Sequence, residues 1–197
     1  CIAIDGTFDD CQDIVKSMFN DKIFRKNHNL SAINSINWAR IMAQMVYYFW
    51  AFLQLKSPIN KISFSIPTGN FGNVFAGYGA KKMGLPIEKL IVASNKNDIL
   101  TRFFKTQTMK LGKVFSTSSP SMDIQISSNF ERLLFELYNR DGRKVKNLID
   151  RFRKLGEFSI DQHPYEKALK IFDSASFDDK KTSQTIMEVY EESGELI

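Results

Sequence analysis

Residues 62–86 read ISFSIPTGNFGNVFAGYGAKKMGLP, and this stretch decides the fold. Ile62, Phe64 and Ile66 alternate with Ser63 and Ser65, the period of a strand with one face on a core, so a strand is predicted to end near Pro67. Thr68-Gly69-Asn70-Phe71-Gly72-Asn73 then places two glycines within four positions, and Asn73 precedes Val74 to Met83, a segment of helical length closed by Gly84 and Pro86. Strand, glycine loop and helix make an anion cradle: the glycines let the backbone turn sharply, and the first helical N–H groups and the positive end of the helix dipole point at what sits there. The loop is neither GxxxxGK[ST] nor GxGxxG. Asn70 and Asn73 stand where a lysine would be and offer neutral donors, which suits a phosphate monoester held by backbone amides. A tight βα turn with no ligand is the competing reading.

Outward from this stretch, Lys89 to Ala93 reads as a second buried strand, and Ser94 to Asp98 caps a short helix through Phe104. Strands separated by such helices have the rhythm of a parallel, doubly wound sheet, whose ligands bind at the carboxyl ends of the strands; Thr68 to Asn73 and Ser94 to Asp98 both fall there. Upstream, Cys1 to Ile4 reads as a short strand feeding a helix through Phe19, opened by Thr7 and Asp10; Asp9, Asp10 and Asp13 suit its first turns. From Ile41 to Leu55 the chain is apolar nearly all round, as in a helix buried within a larger protein, and the run is too short to span a membrane. Asn34, Asn37, Arg40 and Gln44, three or four apart, put one polar stripe on this rod. Loop carbonyls satisfy such a stripe, or it lines a site for a charged ligand, for which the planar fork of Arg40 is best suited. Downstream, Val114 to Thr117 reads as a last short strand and Ser116 to Ser121 as a hydroxyl-rich loop, either a surface connection or a source of hydroxyls for an anion. Helices follow at Phe130 to Tyr138 and Val145 to Phe152, with a turn at Asp141-Gly142; a final helix from Lys180 to Ser193 is capped by Asp178 or Asp179 and closed by Gly194.

The segment PTGNFGNVFAGYGAKKMGLP resembles the cofactor phosphate loop of the threonine synthases, pyridoxal 5′-phosphate enzymes, in their bacterial and fungal form. DGTFDDCQ (5–12), NSINWARI (34–41), NDILTRFF (97–104) and SPSMDIQISSNFERLLFEL (119–137) resemble further blocks of the family in the same order. The resemblance implies the α/β fold type II of these enzymes, a three-layer, doubly wound, mostly parallel sheet like that of the tryptophan synthase β subunit. It implies pyridoxal 5′-phosphate as cofactor and conversion of O-phospho-L-homoserine and water to L-threonine and phosphate. By matching position, Gly69, Asn70, Phe71, Gly72 and Asn73 would hold the cofactor phosphate. Asn34, Asn37 and Arg40, taken from the polar stripe, are the candidates for substrate contact.

No catalytic residue is assigned, because the family's Schiff-base lysine lies upstream of the part matching Cys1, and Lys96 does not occupy its position. The chain is thus expected to be an internal fragment, inactive alone, whose partners are the missing N- and C-terminal parts. It is read as one α/β domain over 1–197, with an α/β core carrying the phosphate loop over 1–138 and a mainly helical extension over 139–197.

Composition sets the other bounds. With 43% hydrophobic and 25% charged residues the chain is an ordinary globular one, with enough length for a real core. Its net charge of +5 comes from scattered lysines and a run between Arg140 and Lys154, which suits a solvated helix face better than nucleic acid. Two cysteines without metal spacing and two histidines far apart give no metal site, and a reducing, cytoplasmic setting is expected. Two further readings stay open: a stand-alone small α/β protein that binds a phosphorylated ligand without chemistry, and a basic module for nucleic acid.

Overall fold

The strand and helix on either side of the glycine loop form as their patterns require, and they set the frame. The computed structural model describes residues 2–6, 8–55 and 59–196, so Cys1 and Thr7, with the strand start and helix opening read into them, lie outside the described residues. In chain order the elements are α1 (Phe8–Asn20), α2 (Lys22–His28), α3 (Trp38–Leu53), β1 (Ile62–Pro67), α4 (Gly72–Lys82), β2 (Ile87–Ser94) and α5 (Ile99–Thr106). Then come β3 (Thr108–Lys110), a single 3-10 turn at Pro120–Met122, α6 (Phe130–Leu137), α7 (Gly142–Leu155), β4 (Glu157–Ser159), α8 (Gln162–Leu169), β5 (Phe172–Ser176) and α9 (Asp179–Ser193).

Among the described residues β1, β2 and β5 form one parallel sheet in that order, and β3 pairs antiparallel with β4. The ladder runs on past the strands, with Thr68 N–H donating to Ala93 O and Phe177 N–H to Ser94 O, so the three carboxyl ends lie level. The parallel sheet and its crossover helices agree with the α/β expectation. Three strands were not foreseen: the short pair β3 and β4, and β5. β5, reading FDSAS, buries only Phe172 fully and carries no apolar alternation, yet Leu90↔Phe172 to Ser94↔Ser176 pair it along β2. The part of the chain expected to be mainly helical therefore supplies the third strand.

Two other expectations are corrected. Ile2 to Ile4 form no strand and are exposed. Residues 114–117 form none either, because the side-chain amide of Asn97 occupies both backbone groups of Phe115: the Phe115 N–H donates to Asn97 Oδ1 at 2.8 Å, and Asn97 Nδ2 donates to Phe115 O at 2.8 Å. The apolar rod α3, read as a helix buried within a larger protein, leaves part of its apolar surface open in this chain. Ile41 and Tyr48 are its buried residues, while Met42, Val46, Tyr47, Trp50 and Leu53 are exposed. The helix-cap readings near the C-terminus agree: Asp178 accepts from Lys181 N–H, and Gly194, at φ 72°, closes α9.

The core is aromatic. Phe71, Phe103, Phe104, Phe130 and Phe172 pack with ring centroids 4.7 to 6.4 Å apart, joining the glycine loop to α5, α6 and β5. Against this core α4 seats closely on α3. The Tyr48 hydroxyl shares its one proton between Asn73 O at 2.8 Å and Asn73 Oδ1 at 2.6 Å, and Gly77 leaves room for the Tyr48 ring.

Two predictions follow from this seam. A Cβ at Gly77 would lie 2.8 Å from Leu90 Cδ2 and from Tyr48 Cε1 and Cζ, so Gly77→Ala is expected to destabilise despite its gain in helix propensity of roughly 1 kcal/mol, since overpacking costs about 1–3 kcal/mol. Gly79→Ala, which would meet only the flexible end of Met45, serves as the control in urea unfolding. Burial raises the Tyr48 hydroxyl above the ordinary 10.0, and burial raises Tyr78 and Tyr138 likewise. The native state then holds protons that the unfolded chain releases, so stability present below the unfolded pKa is lost as pH rises past it. Tyr48→Phe is expected to be less stable near neutrality but to lose less stability than the parent between about pH 9 and 11.

Candidate phosphate-binding site

The loop after β1 is shaped by one peptide group, that between Asn70 and Phe71. Its carbonyl accepts from the Asn129 N–H and from Asn129 Nδ2, both at 3.1 Å, and its N–H donates to Thr68 Oγ1 at 3.1 Å. Held from both sides, the chain passes through Phe71 at φ 62°, a left-handed conformation that costs a non-glycine residue about 1–2 kcal/mol, and the helix starts at once. The helix therefore opens at Gly72 with Phe71 as cap, not after Asn73 as the sequence suggested.

Among the described residues, the N–H groups of Gly69, Asn70, Gly72, Asn73 and Val74 have no hydrogen-bond acceptor. Gly72 and Val74 are buried, and a buried N–H without a partner costs about 1–3 kcal/mol, so this row of donors has room for an acceptor from outside the described residues. It sits on the positive end of an 11-residue helix. The asparagine side chains give their oxygens to the protein and keep their nitrogens without an acceptor among the described residues: Asn70 Oδ1 accepts from Ser128 Oγ at 3.2 Å, and Asn73 Oδ1 accepts from Tyr48. Of the five expected phosphate residues, Phe71 differs. Its N–H is already used and its ring is fully buried, so it anchors the loop while its neighbours present donors.

Both glycines are required by close approach of the protein itself. A Cβ at Gly69 would come 3.0 Å from Ile124 Cγ1 and 3.2 Å from Met122 Cα, and one at Gly72 would come 3.1 Å from Ser35 Cβ. These contacts bring in a segment that sequence reasoning missed, residues 122–129. Asn129 is 1% exposed; its Nδ2 also donates to Ser35 Oγ at 2.8 Å, while its Oδ1 accepts from Arg132 Nε at 2.9 Å, and Arg132 Nη2 reaches Ile36 O at 3.0 Å. Ser127 Oγ is buried with no hydrogen-bond partner among the described residues. The run SSN was visible within a quoted block, but its pairing with a loop nearly sixty residues earlier has no local signature.

Asn34, Asn37 and Arg40 do not form a stripe on one helix. Asn34 lies in the turn before α3 and accepts from Ile36 N–H; Asn37 caps α3 by accepting from Ala39 N–H and donates to Ala32 O; Arg40 Nη1 donates to Ile33 O at 2.9 Å. Their hydrogen bonds fold residues 32–40 into the loop that carries Ser35 against Gly72. Within the hydroxyl-rich loop Ser116, Ser118 and Ser121 are exposed, while Thr117 is turned onto the protein: its Oγ1 donates to Asp123 Oδ1 and accepts from Asn95 Nδ2. Lys96 lies with its ammonium 4.5 Å from the centre of the Phe115 ring. No group of three or more His, Cys, Asp or Glu among the described residues is placed to hold a metal ion, and no helix among them is long and apolar enough to cross a membrane.

No family model matches the chain. It is 54% identical over 196 residues to the threonine synthase of Pseudomonas aeruginosa, covering 100% of this chain and 42% of that protein. With the threonine synthase of Saccharomyces cerevisiae it shares 48% identity, covering 98% of this chain and 40% of the yeast protein. Its fold matches the crystal structure of pyridoxal-phosphate-bound threonine synthase from Brucella melitensis with a TM-score of 0.88 at 50% identity, over 99% of this chain and 42% of the Brucella chain. The chain thus spans about two fifths of the length of these relatives. With identity of about half extending over nearly the whole chain and the fold matching over the same length, the chain belongs to the threonine synthase family.

Proposed function

We propose that this chain is the part of a threonine synthase that holds the phosphate of pyridoxal 5′-phosphate, in a cytoplasmic enzyme that converts O-phospho-L-homoserine and water to L-threonine and phosphate. The observation that carries this reading is the row of five backbone N–H groups, from Gly69 to Val74, that lack an acceptor among the described residues at the start of α4. The residues present fit a phosphate monoester: neutral donors converge on a helix N-terminus, and buried amides are left without a partner. When bound, the cofactor supplies an electron sink for carbanion chemistry at the substrate.

The chain's own work is to bind and orient. Gly69, Asn70, Gly72, Asn73 and Val74 donate to the phosphate through backbone N–H groups, and Asn70 and Asn73 add side-chain N–H groups. Phe71 fixes the loop to the core, so the donors need no reorganisation when the anion arrives. On the substrate side Arg40, exposed near the start of α3, is the candidate for a phosphate or carboxylate group, and Asn34 and Asn37 act through the loop whose shape they set. The lysine that anchors the cofactor covalently is assigned to sequence outside residues 1–197, and the remaining wall of the site to the same missing parts.

The test is a phosphate-release assay with O-phospho-L-homoserine. The full-length gene product is expected to release phosphate only when pyridoxal 5′-phosphate is present, and the 197-residue chain alone to release none. Arg40→Lys in the full-length protein is expected to raise KM while leaving the cofactor absorbance unchanged, because a point charge replaces a bidentate fork. Steady release by the 197-residue chain, with a cofactor band abolished by mutating one of its own lysines, would overturn the reading.

A further inference from the structure

We propose that Asp123 is a positioning residue for the phosphate loop: its carboxylate ties residues 117–123 to the end of β2 and thereby presses Met122 and Ile124 onto Gly69. The inference rests on the phosphate-binding reading above.

Asp123 Oδ1 accepts from Asn95 Nδ2 at 2.8 Å, Asn97 Nδ2 at 3.0 Å and Thr117 Oγ1 at 2.6 Å, and its Oδ2 accepts from Thr117 N–H at 2.9 Å. Asn95 and Asn97 are 6% and 5% exposed and stand just beyond the end of β2. Four donors converge on one group, and only a carboxylate accepts on both oxygens; an amide in its place would turn an NH2 toward one set of donors. The chain around Asp123 is itself tightly turned, with Met122 N–H on Ser119 O, Asp123 N–H on Pro120 O and Ile124 N–H on Met122 O. The place of Ile124 thus follows from that of Asp123.

Ile124 is 1% exposed and, with Met122, comes so close to Gly69 that a Cβ there would be only 3.0 to 3.2 Å away. A small shift of the turn is therefore felt at Gly69. A few residues on, Ser128 and Asn129 hold Asn70. Residues 122–129 run along the loop and fix it at both ends, so the aim of the Gly69 and Asn70 N–H groups depends on a carboxylate that is itself spent on four other donors.

The experiment uses the full-length gene product, with inorganic phosphate titrated by calorimetry and amide hydrogen exchange followed residue by residue. Asp123→Asn is expected to weaken phosphate binding about tenfold, the factor carried by roughly one hydrogen bond's worth of organisation, and to speed exchange at Gly69 and Asn70 while α7 exchanges as before. A merely structural role would speed exchange everywhere and leave the affinity of the folded protein unchanged, which overturns the proposal, as does unchanged exchange at Gly69 and Asn70. Should Asp123→Asn not fold, Thr117→Val removes one donor and keeps the carboxylate; a smaller loss of phosphate affinity supports the proposal and an unchanged affinity refutes it. A parent protein that binds no phosphate refutes the phosphate reading instead, and the positioning claim then stands or falls on the exchange rates.

Discussion

The peptide between Asn70 and Phe71 is the constraint on which the rest of this structure depends. Its carbonyl is held by Asn129 and its N–H by Thr68, so its plane cannot rotate without breaking three hydrogen bonds, two of them to a side chain and backbone that are almost fully buried. With that plane fixed, Phe71 passes through the left-handed region, Gly72 begins a helix, and the next N–H groups are left without an acceptor among the described residues. The strain of Phe71 is offset by burial of its ring, since a fully buried phenylalanine contributes about 1.5–3 kcal/mol. The ring touches Phe104, Phe130 and Phe172, which stand on α5, α6 and β5. A ligand loop is thereby registered against the core of the sheet.

This arrangement also explains why the glycines of the loop are glycines. Neither Gly69 nor Gly72 has a positive φ among the described residues; each is small because another segment lies against it, Ile124 in one case and Ser35 in the other. The loop is held by three stretches distant in sequence, so its free N–H groups are fixed in place by the protein itself. The exposed apolar faces of α3 and α9, with Trp50, Leu53, Met187 and Tyr190 open to solvent, belong to a chain that matches about two fifths of its relatives' length.

Much of this was legible in the sequence, for local reasons. The alternation of Ile62 to Ile66, the glycine pair and the length of the following apolar segment are signals within a window of about a dozen residues, and they gave β1, the loop and α4 to within two residues. What sequence reasoning could not supply was pairing across the chain. β5 has no strand pattern of its own and is a strand because β2 offers it a ladder. Residues 114–117 carry a strand-like composition, but the amide of Asn97 takes the backbone groups that a strand would use. Asn34, Asn37 and Arg40 show helical spacing, yet Asn37 caps the helix and Asn34 precedes it, since asparagine side chains compete for backbone groups at helix starts. Asn129, the hub of the site, was one letter in a recognised block, and its role rests on partners 59 and 94 residues away.

The central claim is that the backbone N–H groups of Gly69, Asn70, Gly72, Asn73 and Val74, and not that of Phe71, receive an anion. It is tested most directly by amide chemical shifts of the isotopically labelled full-length gene product during addition of inorganic phosphate. The account predicts saturable downfield movement of those five resonances with Phe71 moving least, because its N–H is already donated to Thr68 Oγ1. Movement confined to the basic helix α7, or movement of Phe71 with Gly72 and Asn73 silent, would contradict it.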